Sequence, residues 1–187
     1  MGPRDDLTFY RNRNRSADVW SRYPEPKEVP RFLEGPLVLD AGCGNGRNLP
    51  LLSTRGFEAV GLEINDDLVR MASNRGEVVQ ASITSIPFRD GSFDTSIVGG
   101  VLWYVKDIRA AHSEMLRVCK KHYTSSYAKF FNASLLKPRS FLYLMRSLLL
   151  GRIYPRTRET LSEFGTIVDE DSDGYLFLSR RDRSQAR

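Results

Sequence analysis

Val38-Leu39-Asp40-Ala41-Gly42-Cys43-Gly44-Asn45-Gly46-Arg47 is the stretch on which the reading of this chain turns. Apolar residues run into an acidic one and then into three glycines at alternate positions. That order describes a buried strand ending in a loop where a ligand can approach the backbone closely, since each missing Cβ removes a steric wall. The dinucleotide fingerprint requires Gly-x-Gly-x-x-Gly. Here the register is Gly42-x-Gly44-x-x-Arg47, and its third glycine is absent. On this stretch alone, a strand-to-helix turn without any ligand stays open.

Downstream, Glu58-Ala59-Val60-Gly61-Leu62-Glu63 reads as a second strand with Glu63 at its end, 19 residues after Gly44. In a βαβ unit the carboxyl ends of neighbouring strands lie side by side, where open parallel sheets bind ligands. A carboxylate there can accept two charge-assisted hydrogen bonds from ribose hydroxyls. The alternative for Glu63 is a surface carboxylate opening the Ile64–Asp67 turn. A third segment runs from Val78 to Asp94 and contains Ala81-Ser82-Ile83-Thr84-Ser85-Ile86-Pro87-Phe88-Arg89-Asp90-Gly91-Ser92-Phe93-Asp94. Thr95-Ser96-Ile97-Val98-Gly99-Gly100-Val101-Leu102-Trp103-Tyr104-Val105 follows as the fourth strand and the loop after it.

Together these motifs resemble the class I S-adenosylmethionine-dependent methyltransferases, in particular the type-11 methyltransferase family. The resemblance spans roughly Leu37 to Lys120, with four motifs in the correct order and spacing. Gly42-x-Gly44-x-Gly46 after Asp40 matches the family's first motif. The third segment matches the family pattern "DAxxLPFxDxSFD", with Ser82 where the family usually has Asp. In the family that Asp contacts the adenine amino group, and the next residue's backbone amide contacts a ring nitrogen. The resemblance therefore implies adenine recognition in altered form, through an uncharged Ser82 and the unaffected amide of Ile83. It also implies an α/β fold: a Rossmann-like, mostly parallel doubly wound sheet with a C-terminal antiparallel hairpin. The implied cofactor is S-adenosyl-L-methionine, with Asp40, Gly42, Cys43, Gly44, Gly46, Glu63, Ile64, Ser82, Ile83 and Gly99 as its binding residues.

The implied reaction is direct in-line transfer of a methyl group to an acceptor that the sequence does not name. Positioning supplies much of the acceleration in such a step. The family's "LHH" after the fourth strand is Leu102-Trp103-Tyr104 here. Trp103 and Tyr104 are candidates for the acceptor pocket, and packing of both rings on the following helix is the competing reading. His112 is expected within a helix and His122 at the start of the fifth strand, the wrong end for catalysis. Asp94 is read as shaping the turn before the fourth strand. No Asn-Pro-Pro-Tyr or Asp-Pro-Pro-Tyr sequence occurs, which argues against amino-group methyltransferases of DNA and glutamine. A tRNA-modifying enzyme and a noncatalytic S-adenosylmethionine-binding module remain alternatives, and the acceptor is a small molecule or RNA.

Length and composition suit one such domain. The 187 residues are 41% hydrophobic and 27% charged, ordinary for a soluble globular chain. No apolar run reaches the length of a membrane span, and Met1–Asp6 lacks the apolar core of a secretory signal. Asp6 also fails the myristoylation pattern. Cys43 and Cys119 offer neither a disulfide framework nor a metal-ligand spacing, so no metal is expected. A cytoplasmic setting is expected. The net charge of +5 is unevenly placed: Arg11, Arg13 and Arg15 near the start, Lys137, Arg139, Arg146, Arg152, Arg156 and Arg158 later, and Arg180, Arg181, Arg183 and Arg187 at the tail. Phosphate attraction and a merely solvated surface are both compatible with that distribution.

The expected organisation is an N-terminal arm over residues 1–30, a methyltransferase domain over 31–179 and a basic tail over 180–187. Ala17–Tyr23 is expected as a short helix stopped by Pro24 and Pro26. Helices are expected over Arg47–Arg55 with Gly56 at its C-terminal end, over Asp66–Arg75 with Asn65 as N-cap, and from Asp107 to Val118. His122–Phe131 is expected as the fifth strand by its alternation. Phe141–Leu150 reads as an apolar helix, buried or facing a partner. Thr166–Asp169 and Tyr175–Ser179 are expected as the last strands, joined by an Asp173-Gly174 turn.

Overall fold

The computed structural model describes residues 32–128, 145–146, 148–151, 153–170 and 174–180. Expectations for the arm, for Phe141–Leu144, for the Asp173 turn position and for residues 181–187 lie outside them.

Strand β1 (Leu37–Ala41) is apolar on both sides of its pleat, and so is what covers it. Leu39 and Ala41 join a core with Leu62, Phe93, Val98, Met115, Val118 and Leu161. Val38 packs the opposite way, with Leu52 and Ile97. A strand covered on both faces belongs in a parallel sheet flanked by helices. The chain supplies them in alternation: α1 (Asn48–Thr54), β2 (Glu58–Glu63), α2 (Asp66–Ala72), β3 (Glu77–Gln80), β4 (Phe93–Gly99), α3 (Ile108–Val118) and β5 (Cys119–Ala128). A short α4 (Arg158–Ser162) precedes β6 (Thr166–Glu170) and β7 (Gly174–Arg180). The seven strands lie in the order β3-β2-β1-β4-β5-β7-β6. The first five are mutually parallel, and β7 is antiparallel to both β5 and β6. The sheet is therefore mixed, mostly parallel with an antiparallel C-terminal hairpin, as the sequence implied.

Local chemistry sets the element ends. Asn65 is the N-cap of α2, its Oδ1 accepting from the amides of Asp67 and Leu68 at 3.0 Å each. Asp107 does the same for α3 through the amide of Ala110 at 3.0 Å. Gly56 follows α1 with φ +84°, and its amide reaches the Ser53 carbonyl at 3.0 Å. The helices are shorter than expected: α1 excludes Arg47 and Arg55, and α2 stops at Ala72.

Two expectations need correction. Asp94 lies inside β4, not before it. Its Oδ2 accepts from the amide of Leu37 at 3.1 Å and its Oδ1 from Lys120 Nζ at 3.0 Å, so it ties the starts of β1, β4 and β5 together. These donors hold the Asp94 carboxyl below the usual carboxylate range, the Leu37 amide foremost. Strand β5 starts at Cys119 rather than His122 and runs directly out of α3. Its residues His122, Tyr123, Thr124 and Ser125 are all buried, so no exposed alternation marks it.

Among the described residues no helix is long and apolar enough to cross a membrane. Of the expected apolar helix, Met145, Arg146, Leu148 and Leu149 are helical, and Leu149 is 83% exposed.

Candidate functional site

Parallel pairing brings four loops to one edge of the sheet. Ala41 pairs with Leu62, Glu63 with Gln80, and Asp40 with Ile97, so the loops after β1, β2, β3 and β4 leave side by side.

The three glycines of the first loop have different reasons to be glycine. A Cβ on Gly42 would fall 2.2 Å from Val101 Cγ2. One on Gly46 would fall 2.9 Å from the backbone of Ala72. Those two let the loop after β4 and helix α2 close on it. Gly44 has φ +59° and a Cβ there would meet nothing within 4 Å. Its backbone is left-handed and faces open room, which is the property a ligand requires. Cys43 is turned inward, its Sγ beneath Gly61, where a Cβ would lie 2.7 Å away. Burial, aided by Asp40 and Glu63, pushes its thiol well above the ordinary range, so it is a packing residue and not a nucleophile.

Glu63 is 5% exposed and braces the loop. Its Oε2 accepts from the Gly44 amide at 3.0 Å, and its Oε1 from the amides of Ile64 and Asn65 at 2.8 and 3.0 Å. Burial raises its pKa and those three donors oppose the rise. A carboxylate has about four acceptor positions. With three in use, the remaining one lies on the Oε2 side, beside Gly44.

Asp40 at the end of β1 is 1% exposed. Burial raises its pKa to about 7, against the pull of an Asn48 hydrogen bond and of Arg47, and with the Glu63 carboxylate adding to the rise. Asp40 Oδ2 and Asn48 Oδ1 are buried with no hydrogen-bond partner. Such acceptors call for donors that the fold does not provide. The residues thus fit an S-adenosylmethionine-type group: a cationic amino-acid end, a ribose and an open backbone between.

Ser82 sits just beyond β3, and its Oγ is engaged locally, 2.8 Å from Thr84 Oγ1 and accepting from the Thr84 amide at 3.2 Å. Ile83 beside it is buried in the core. The rest of the third segment is a brace. Arg117 of α3 reaches the carbonyls of Ile86 and Phe88 at 2.9 and 2.7 Å, Asp90 at 3.0 Å and Glu114 at 2.7 Å. Glu114 returns to accept from the Ile86 amide at 2.7 Å. Phe88 meets the Phe93 ring edge-on at 4.9 Å.

Gly99 closes β4 at the exposed edge, and a Cβ there would meet nothing within 4 Å. Trp103 and Tyr104 form a 3-10 turn, Leu102–Tyr104, at that edge, both half-buried, with Trp103 also packed against the core. The turn is clasped from the other end of the chain. The Tyr154 amide donates to the Trp103 carbonyl at 2.7 Å, and Arg156 donates to the carbonyls of Val105, Lys106 and Tyr154 at 2.9, 3.1 and 3.0 Å. The histidines stand apart. His122 Nε2 lies 2.6 Å from the Phe32 carbonyl, and His112 Nδ1 lies 2.8 Å from the Tyr123 hydroxyl. Sequence reasoning missed Asn48 and Arg156. Asn48 carried a weak signal, a polar residue opening an apolar helix, and Arg156 none. No metal-binding cluster occurs among the described residues.

A sheet of this order, with a glycine loop and two buried carboxylates at one edge, is the fold shared with the class I S-adenosylmethionine-dependent methyltransferases. Within that class the chain is similar to the type-11 family, whose model, described as a methyltransferase domain, matches residues 39–122, a little under half of the chain. A tRNA (carboxymethyluridine(34)-5-O)-methyltransferase of Arabidopsis thaliana is 33% identical over 108 residues, covering 54% of this chain and 26% of that protein. An uncharacterized methyltransferase of Mycobacterium sp. (strain KMS) is 36% identical over 107 residues, covering 56% and 40%. The chain thus spans between a quarter and two fifths of the length of these relatives. Among solved structures, the magnesium protoporphyrin IX methyltransferase of Synechocystis PCC 6803 with bound S-adenosylhomocysteine aligns with a TM-score of 0.65 at 20% identity, over 95% of this chain and all of that one. The PH0226 protein of Pyrococcus horikoshii aligns with 0.66 at 17%, over 91% of each. At those identities the likeness speaks for the fold.

Proposed function

We propose that this chain transfers a methyl group from S-adenosylmethionine to an acceptor seated over the carboxyl edge of the sheet. The observation that carries the reading is the pair of partnerless buried acceptors, Asp40 Oδ2 and Asn48 Oδ1, on the strand and the helix that flank the loop where Gly44 opens to free space. When bound, the cofactor supplies an electrophilic methyl group that needs only an aligned lone pair. Asp40 would hold its cationic end, and Glu63, with Ile64 beside it, the ribose. The Ile83 amide, with Ser82, would hold the adenine, Gly44 would let the backbone approach, and Gly99 would leave room above β4. Gly42, Cys43 and Gly46 keep the loop in shape. Trp103 and Tyr104 would wall the acceptor side and exclude water. Residues 1–30 as a covering arm, residues 31–179 as the transfer domain, residues 180–187 as a basic tail, although Arg180 is the last residue of β7, and Phe141–Leu150 as a partner or pocket cover belong to the same proposal. So does a cytoplasmic setting, which the two free buried cysteines suit.

Release of S-adenosylhomocysteine, measured across RNA, protein and metabolite pools, tests this. Release with one pool only supports transfer. Tight S-adenosylhomocysteine binding without release from any pool favours a noncatalytic module.

RNA is the acceptor class that one observation favours. The Arabidopsis relative is named for a tRNA, and a Dictyostelium discoideum relative, 30% identical over 95 residues, for 18S rRNA. The edge itself carries Trp103, Tyr104 and Tyr154 beside Lys106 and Arg156. Aromatic rings beside cations suit splayed-out bases.

A further inference from the structure

Asn48 opens α1, two residues after Gly46 of the glycine loop, yet is only 9% exposed. Its carboxamide donates to the Asp40 carboxyl. That bond leaves two oxygens over, Asp40 Oδ2 and Asn48 Oδ1, each buried and without a donor. Leaving a buried acceptor unmade costs about 1–3 kcal/mol, so a fold keeps two together only where something supplies the donors. Both are acceptors, and one belongs to a carboxyl group. The complementary group is cationic and carries several N–H bonds; a carboxylate would be repelled. No set of three metal-ligating side chains is present among the described residues. An ammonium group fits.

We propose that Asn48 is a specificity-determining residue which, through its carboxamide oxygen, receives the α-ammonium group of the cofactor's amino-acid portion alongside Asp40. The assignment rests on the cofactor reading above and adds a residue to it. Asn48 has two tasks. Its N–H orients the Asp40 carboxyl, so that Oδ2 is the oxygen left for the ligand. Its own oxygen completes a two-acceptor cradle that selects ligands with an amino group over the bare thioether nucleoside. Asn48 does no chemistry on the methyl group, so its effect appears in binding.

The test is calorimetry with two ligands on the wild-type chain and on Asn48→Leu, whose side chain has nearly the same shape. The ligands are S-adenosylhomocysteine and 5′-methylthioadenosine, which keeps the adenosine and thioether but has no amino acid. Asn48→Leu should lose about ten-fold or more in affinity for S-adenosylhomocysteine, the scale of a hydrogen bond to a charged group, and less than about two-fold for 5′-methylthioadenosine. Equal losses on both ligands, or no loss on either, would overturn the assignment. The wild-type chain gives a second check that needs no variant. An analogue of S-adenosylhomocysteine with hydrogen in place of the α-amino group should bind about ten-fold or more weakly. If it binds as tightly as the parent compound, the cradle does not read an ammonium group. If the wild type binds none of these ligands, the cofactor reading itself fails, an outcome distinct from the failure of Asn48 alone.

Discussion

A carboxyl group with one oxygen buried and partnerless keeps its proton to a pH at which an aqueous one has long lost it. Asp40 follows that rule, with a pKa raised to about 7 by burial. The unfolded chain ionises near the ordinary value of 3.8, while the folded chain resists until about 7. Stability is therefore lost on Asp40's account as pH rises between those values, and the full cost is present above them. At one pKa unit per 1.36 kcal/mol the cost is on the order of 4 kcal/mol at most. Asp40→Asn should raise the melting temperature of the ligand-free chain at pH 8, leave it unchanged near pH 3, and weaken S-adenosylhomocysteine binding. A variant less stable than wild type at pH 8 would contradict this account. Ser82 invites the opposite change. Its Oγ already serves the Thr84 amide, and an Asp can serve that amide with one oxygen while offering the other outward. Ser82→Asp should tighten S-adenosylhomocysteine binding by about 0.5–1.5 kcal/mol, one added hydrogen bond. Unchanged affinity in calorimetry would take Ser82 away from the adenine.

Between elements, bonds of long sequence separation hold the edge in place, and these mark how far the sequence alone could be read. The β1 loop, the span Glu58–Glu63 and the caps Asn65 and Asp107 were legible, because strand-ending glycines and N-caps work through residues two or three positions away. The start of β5 was not, because Lys120 and Lys121 read as a polar connection although Cys119 is fully buried. Asp94 reads as a turn former in the sequence because its partner Leu37 is 57 residues distant. Arg156 was read only as surface charge, and its carbonyl partners lie 50 and 51 residues away. Removing that guanidinium leaves the carbonyls of Val105 and Lys106 without those donors and frees the turn bearing Trp103. The chain has two tryptophans, so replacing Trp20 by Phe isolates Trp103 as a fluorophore. In that background Arg156→Ala should shift Trp103 emission to the red and raise its quenching by acrylamide. S-adenosylhomocysteine affinity should stay within about two-fold, since the clasp lies on the proposed acceptor side. An unmoved emission spectrum would mean that the Tyr154 amide alone holds the turn.

At the scale of the whole molecule, the proposed cofactor and acceptor sides share one sheet edge but rest on different supports. The proposed cofactor side stands on β1, β2 and the Arg117-braced loop after β3. The proposed acceptor side stands on the loop after β4 and the Tyr154–Arg156 clasp. Substitutions on one side should then leave the other's affinity nearly intact, apart from the Gly42–Val101 contact where the two loops touch. Trp103→Ala and Tyr104→Phe should slow methyl transfer to the acceptor identified in the release assay, with S-adenosylhomocysteine affinity unchanged. Loss of cofactor binding in either variant would move that ring into the cofactor shell; normal turnover in both would make the loop scaffold. The net charge of +5 separates the acceptor classes through salt. An RNA held by several Lys and Arg side chains exchanges counterions on binding, so its affinity should fall by about ten-fold or more between 50 and 200 mM salt. A neutral metabolite releases no counterions, and its KM should stay flat over the same range. A flat profile with an RNA acceptor would mean that the rings, rather than the charge, carry recognition.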